Sequence, residues 1–140
     1  MSAPPHHRIH AIRYARHKRP AAENFIGGDD HASPMPLDYY VWLIERDGMM
    51  PLLVDTGFGE DAAIRRKRTM IRPVADGLRA IGVDPASIED VVITHLHYDH
   101  AGSLDIFPKA RFHIQDEEMA FATGRGMTHK AVRAPFDAEP

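Results

Sequence analysis

The sequence predicts an α/β fold of the mixed α+β kind, in which helices flank a mixed β-sheet. Two β-prone runs, residues 38–45 and 51–55, stand on either side of Asp47-Gly48, a dipeptide typical of hairpin turns, and so predict an antiparallel pair. Residues 91–93 form a continuous apolar run, which is typical of a strand covered on both faces. Between these strands, apolar residues recur at helical spacing over residues 72–81.

The remaining elements follow from local patterns along the chain. Residues 7–16 place isoleucines among polar residues, as in a short first strand, and residues 20–37 are rich in Pro, Gly and Asp, which indicates a long loop. Pro73 suits the first turn of the predicted helix, and Gly82 suits its end. The covered strand extends over residues 88–94 and is followed by a short helix over 103–107, a strand over 111–115 and a helix that Asp116 caps and that runs to about Ala122.

Length and composition indicate a single domain over residues 1–140, with residues 124–140 as a loose C-terminal tail. The net charge of -3 gives no field that would attract nucleic acid or an anionic membrane, and the longest apolar run, Tyr39–Ile44, is far too short to span a bilayer. The chain has no cysteine, which excludes disulfides and thiolate metal ligands. Together with the lack of an apolar signal-peptide core, this predicts a cytoplasmic location.

The run His95-Leu-His-Tyr-Asp-His100 carries the chemistry of the sequence. It follows the covered strand directly, at the point where a backbone leaves the sheet and side chains can converge. In an extended His-x-His segment both imidazoles point to one side, so His95 and His97 can bind one ion, while Asp99 and His100 can reach a second. Imidazole and carboxylate suit zinc, iron or manganese. The alternative is a histidine-rich surface loop, which the preceding buried strand disfavours.

This run resembles the metal motif His-x-His-x-Asp-His of the metallo-β-lactamase-fold superfamily, and residues 53–57 resemble its second recurrent signature. The pattern over residues 94–102 is most similar to the N-acyl homoserine lactonase group. The resemblance extends from about residue 8 to residue 123. It implies the N-terminal half of an αββα sandwich in an incomplete domain. The family supplies a third histidine, a bridging carboxylate and a further histidine from a region that begins about where this sequence stops.

The resemblance also implies the roles of individual residues. His95 and His97 would bind the first of two divalent metal ions, with zinc preferred over iron or manganese, and Asp99 and His100 would bind the second. Asp99 would also act in catalysis by orienting the attacking hydroxide and passing its proton. Asp55 would accept a hydrogen bond from a metal-binding histidine, although a turn residue capping Gly57 is an equal alternative.

The implied function is a hydrolase that opens a lactone or a similar cyclic ester, the reaction of quorum quenching, with a metal-bound hydroxide as nucleophile. The expected partners are a small-molecule substrate and, because a half-sandwich leaves one face uncovered, a second copy of the chain in a homodimer. Charge and the lengths of the apolar runs predict neither nucleic acid nor a membrane as partner. Two alternatives remain open. One is a thioester hydrolase of the same superfamily, and the other is a truncated, non-catalytic metal-binding half-domain that acts through oligomerisation.

Other polar and aromatic residues receive structural interpretations. We expect His113 and His129 to be structural or solvent-facing, since neither matches a ligand position of the family. Tyr98 either lines the site or packs, and residues 65–68, Arg-Arg-Lys-Arg, read as a solvated loop or helix end. The aromatic residues of the second strand are expected in the core, namely Tyr39, Tyr40 and Trp42.

Overall fold

Strands from both halves of the chain form one mixed sheet in a computed structural model, which describes residues 5–29 and 33–137. The strands of the described residues are β1 (His7–His17), β2 (Leu37–Arg46), β3 (Leu52–Val54), β4 (Thr69–Met70), β5 (Asp90–Val92) and β6 (Arg111–His113). They lie in the order β4-β1-β2-β3-β5-β6. The pairs β4–β1, β1–β2 and β2–β3 are antiparallel, whereas β3–β5 and β5–β6 are parallel.

Helices are short and stand between or after the strands. They are α1 (Glu60–Arg65), α2 (Val74–Ala80), α3 (Tyr98–Ala101), α4 (Asp116–Ala122) and α5 (Lys130–Arg133). Single 3-10 turns cover Ala21–Asn24, Pro85–Ser87, Leu104–Ile106 and Arg125–Thr128. No helix in the described part of the chain is long and apolar enough to cross a membrane. The mixed sheet with its helices confirms the predicted fold class.

The core lies on one face of the sheet, beneath α2. Successive side chains of a strand point to opposite faces, so Val41 and Leu43 of β2 share a face, where both are fully buried. Leu53 of β3 and Val91 of β5 lie beside them in register and are also fully buried. A Cβ added to Gly77 of α2 would collide with the Ile12 side chain of β1, so the helix rests closely on this face.

The other face of the sheet is largely uncovered, and here the prediction of a buried aromatic cluster is partly wrong. Tyr40 and Trp42 alternate with the buried residues of β2, so they point away from α2 and are 37% and 42% exposed. Their rings stack with centroids 5.9 Å apart. Ile9 of β1 lies on the same face and is 64% exposed. Tyr39, in contrast, packs against the core as expected.

A bulge in β1 turns an additional aromatic side chain inward. The register between β1 and β2 shifts between Arg13 and Ala15, and both Tyr14 and Ala15 are fully buried as a result. The Tyr14 ring meets Phe58 edge-on, with centroids 5.0 Å apart. Its pKa is raised well above the ordinary value, chiefly by burial, so the phenol stays protonated and can donate a hydrogen bond.

Two local predictions differ from the structure, and two short elements were not predicted. The sequence pattern did not predict α1 or β4, which are short and lie in a charged region. Asp116 is the first residue of α4 and Gln115 the N-cap, without a side-chain capping bond. The segment expected to be a loose tail instead forms a 3-10 turn and α5 over residues 125–133 and contacts the rest of the fold as far as Asp137; residues 138–140 lie outside the described part.

Candidate metal centre

The predicted metal run lies where two parallel strands end at one edge of the sheet. β3 leads into Asp55 and β5 leads into Thr94, and the backbone N–H of Asp55 donates to the carbonyl of Val92 at 2.8 Å. Because the strands run parallel, their carboxyl ends meet, and residues some 40 positions apart in sequence become neighbours.

The three histidines of the run lie together. The ring centroids of His95 and His97 are 4.4 Å apart, and those of His95 and His100 are 3.9 Å apart. Burial lowers the pKa of His95, and the nearby His100 and His97 lower it further. A neutral imidazole is the form that binds a metal ion, so these surroundings favour the binding-competent state of His95.

Asp55 is almost fully buried, and its carboxylate accepts hydrogen bonds from Thr94, just before the run, and from His100, at the end of the run. Its Oδ1 accepts the backbone N–H of Thr94 at 2.8 Å, and its Oδ2 accepts Nδ1–H of His100 at 2.7 Å. The hydroxyl of Thr94 also donates to this carboxylate. The backbone of Asp55 is left-handed, with φ of 64°, a conformation that aspartate tolerates better than most residues. Asp55 thus lies beside a predicted metal ligand, while its role for a metal stays a prediction.

His100 is held between two carboxylates. Its Nε2 lies 3.4 Å from Oδ2 of Asp99, opposite the bond to Asp55. Burial lowers the pKa of His100, but the hydrogen bonds to Asp55 and Asp99 outweigh burial and raise the pKa to about 9. Burial raises the pKa of Asp99, but the hydrogen bond with His100, the charge of His100, a backbone hydrogen bond and the charge of His95 together outweigh burial and leave that pKa below the ordinary value. In the metal-free chain His100 is therefore protonated near neutral pH.

The donors fit divalent metal ions in chemistry, but they do not form a closed site. Within residues 5–29 and 33–137, no group of three or more His, Asp or Glu side chains is arranged to hold a metal ion. His100 explains part of this, because both of its nitrogens are directed at carboxylates. The residues present would supply two donors to each of two ions, whereas a catalytic zinc usually has three from protein. The roles of His95, His97, Asp99 and His100 as ligands remain predictions.

Two close backbone contacts hold the run against the turn that follows β3. Thr56 N–H donates to the carbonyl of His100 at 2.7 Å, and Gly102 N–H donates to the carbonyl of Gly57 at 2.9 Å. Gly57 has φ of 69°, and a Cβ there would lie 2.8 Å from Val74. The hydroxyl of Tyr14 donates to the carbonyl of Asp99 at 2.8 Å. Through this hydrogen bond, the bulge in β1 holds the backbone of the run in place. The sequence pattern did not predict this contact.

Tyr98 packs beneath the site and does not line it. It is 7% exposed, its hydroxyl accepts Nε–H of Arg68 at 3.0 Å, and the guanidinium of Arg66 lies 3.9 Å from its ring centroid. Arg66 also forms an ion pair with Asp137 at 2.7 Å. Residues 65–68 include the predicted helix end, because Arg65 is the last residue of α1 and Arg66 is its C-cap. The prediction of solvation is wrong for Arg66 and Arg68, which are partly buried.

The C-terminal segment reaches the site from the other side. The carbonyl of Pro135 accepts Tyr98 N–H at 2.8 Å, and the Phe136 ring stands edge-on to the His97 ring, with centroids 4.9 Å apart. His113, which pairs with Asp90 at 2.7 Å, and His129 are exposed, as expected.

Comparison with known proteins agrees with this architecture. An N-acyl homoserine lactonase, AttM of Agrobacterium fabrum, is 43% identical over 47 residues, which are 34% of this chain and 18% of the relative. A solved quorum-quenching N-acyl homoserine lactone lactonase matches 96% of this chain at 22% identity, with a TM-score of 0.63, over 55% of its own length. AidC, a dizinc quorum-quenching lactonase solved with its product, matches 83% at 20% identity and a TM-score of 0.57, over 44% of its length.

The chain thus spans about half the length of the solved structures that it matches. The profile of the metallo-beta-lactamase superfamily matches residues 35–137, which include every residue of the candidate site. The chain belongs to the metallo-beta-lactamase superfamily.

Proposed function

We propose that this chain carries the metal-binding run of a metal-dependent hydrolase that opens a lactone or a similar cyclic ester. The observation that carries the proposal is the convergence of His95, His97 and His100 at the edge of the sheet, with Asp99 beside them. The local similarity to N-acyl homoserine lactonases supports a lactone over the other esters and thioesters of the superfamily. The dizinc relative supports zinc as the metal.

The position of each residue in the site determines the role that we propose for it. His95 and His97 would hold one ion, and Asp99 and His100 the other, with further ligands from outside these four. The chemistry supplied by two bound divalent ions is an activated water and a polarised substrate carbonyl. Asp55 would hold the His100 ring through Nδ1, which leaves Nε2 to face the ion. The Asp99 carboxylate would take the proton of the attacking water and pass it to the ring oxygen that leaves the acyl carbon.

Asp99 provides the test. We expect the zinc-loaded chain to hydrolyse an N-acyl homoserine lactone faster than a thioester, as measured by acid release at constant pH. Asp99→Asn should lower the rate by about 100-fold or more, since it removes a proton carrier as well as a charged ligand. Asp105→Asn, a change of an exposed carboxylate six positions later, is the matched control and should leave the rate unchanged. Equal rates for both variants would contradict the assignment.

A second candidate is a non-catalytic module that binds metal weakly and acts through self-association. Two observations favour it, namely the absence of a three-donor group among the described residues and the uncovered apolar face of the sheet. Elemental analysis after gel filtration separates the candidates. About two zinc ions per chain with lactone turnover supports the hydrolase, whereas an associating species with neither zinc nor turnover supports the module.

A further inference from the structure

The segment between β5 and α3 is anchored by hydrogen bonds from alternate backbone amides. Thr94, Leu96 and Tyr98 each donate the backbone N–H over 2.8 Å. Their acceptors are side-chain oxygens of Asp55 and Glu118 and the carbonyl oxygen of Pro135. The Asp55 and Pro135 anchors lie at the two ends of the segment, and the Glu118 anchor acts on the backbone at its middle.

Leu96 lies between the two histidines predicted to bind one ion. Its side chain is partly buried against the core, and its N–H is held by Oε1 of Glu118. The backbone at His97 is extended, and neighbouring side chains of extended backbone point to opposite sides, so an inward Leu96 favours a common outer side for His95 and His97. The distance of 4.4 Å between their ring centroids agrees with this placement. A fixed amide at Leu96 therefore restricts both imidazoles at once.

Glu118 differs from its acidic neighbours in α4. Asp116 and Glu117 are exposed, whereas Glu118 is partly buried and reaches across to the run from 22 positions away. Three acidic residues in a first helical turn are readily explained by the helix dipole, which is why the sequence pattern did not distinguish Glu118. The hydrogen bond to Leu96 is what sets it apart.

We propose that Glu118 is a positioning residue for the His95 and His97 pair, acting through the Leu96 amide. The inference rests on the proposed function, because it matters for metal binding only if these two histidines bind a metal. The proposed role depends on the length of the Glu118 side chain and on its acceptor oxygen. A negative charge on Glu118 is not itself required, because the donor of this hydrogen bond, the Leu96 amide N–H, is uncharged.

The experiment separates length from charge. Glu118→Asp keeps the charge but withdraws the carboxylate by one methylene, whereas Glu118→Gln keeps the length and an acceptor oxygen. We expect Glu118→Asp to speed hydrogen exchange of the Leu96 amide at least about tenfold in the metal-free chain and to weaken zinc binding about 10- to 100-fold. Glu118→Gln should stay near the wild type in both, and so should the matched control, Glu117→Asp. Exchange is measured by NMR and the zinc Kd by competition with a chromophoric chelator.

The outcomes are distinguishable from those that test the proposed function. Unchanged Leu96 exchange and zinc affinity in Glu118→Asp would overturn the inference, and so would equal losses in Glu118→Asp and Glu118→Gln. A wild-type chain that binds no zinc, but whose Leu96 exchange responds only to Glu118→Asp, would overturn the proposed function while the anchor stands. Thermal unfolding of each metal-free variant identifies any loss that comes from global instability.

Discussion

At the scale of single residues, the site depends on groups that satisfy the backbone around the histidines. A chain that leaves a sheet has amides without strand partners, and buried amides without acceptors are costly. Asp55 and Glu118 supply acceptors to Thr94 and Leu96. The backbone that carries the imidazoles is therefore held by two carboxylates, and that of Asp55 also accepts a hydrogen bond from the His100 ring.

Asp55→Asn tests this scaffold. Asparagine tolerates the left-handed backbone at residue 55 but places an amide N–H₂ where one oxygen now accepts a hydrogen bond. We expect the free energy of unfolding to fall by about 2–3 kcal/mol in the presence of a chelator, because a charge-assisted bond to His100 is lost. Urea titration at neutral pH measures it. Asp61→Asn, an exposed carboxylate in α1, should change stability by less than about 1 kcal/mol; an equal loss in both would contradict the role of Asp55.

At the scale of elements, the turn after β3 and the metal run pack so closely that side chains are excluded between them. Gly102 lies at this contact, because a Cβ there would come within 3.0 Å of the Gly57 carbonyl oxygen. The two backbone hydrogen bonds between residues 56–57 and residues 100–102 depend on that approach. Gly57 in turn packs against α2 and β1, with Val74 and Tyr14 both within 3 Å of the position that its own Cβ would take. The geometry of the run is therefore set partly by a glycine that carries no chemistry.

Gly57→Ala measures the importance of this contact, and Gly48→Ala provides a matched control. Both glycines have positive φ, 69° and 77°, but a Cβ at residue 48 meets nothing within 4 Å. We expect Gly48→Ala to cost about 1 kcal/mol from backbone strain alone. Gly57→Ala should cost about 1–3 kcal/mol more, because Val74 and Tyr14 must move. Equal shifts of the urea midpoint in the two variants would contradict the close packing of Gly57 against Val74 and Tyr14.

Short-range patterns predicted the hairpin of β2 and β3, α2, the covered strand β5 and the position of the histidine run. They could not predict contacts between distant segments, such as those of Tyr14 with Asp99 or of Arg66 with Tyr98 and Asp137. They also assigned Trp42 to the core, because hydrophobicity alone does not say which face of a sheet is covered. Alternation along β2 separates the two faces, yet only the packing of α2 shows which is inside.

At the scale of the whole molecule, helices cover one face of the sheet and leave the other open. The open face combines Ile9, Tyr40 and Trp42, and the partly buried Ile44, Leu52 and Val54 continue it across β2 and β3. A contiguous apolar surface of this kind favours association in water. The homodimer expected from the sequence would find its contact area here, which is our prediction for the isolated chain.

Trp42→Thr tests this surface, since threonine keeps the β propensity and removes most of the apolar area. We expect the dissociation constant for self-association to rise about tenfold, in line with the loss of part of one large apolar side chain. Sedimentation velocity over a range of protein concentrations measures it. Ile64→Thr, at a residue of α1 that is 75% exposed, is the control and should leave the constant unchanged. A fully monomeric wild-type chain would contradict the prediction.

The parallel pairing of β3 with β5 has a consequence for how the centre can be studied. Asp55, whose carboxylate bonds both Thr94 and His100, lies 45 positions before His100 in the sequence. The intervening chain, which includes α1 and α2, must fold before these residues can meet. A synthetic peptide with the histidine run alone would lack that carboxylate, the Tyr14 hydroxyl and the Glu118 oxygen. The imidazoles of such a peptide would sample many arrangements. The metal-binding properties of the run can therefore be measured only in a folded chain.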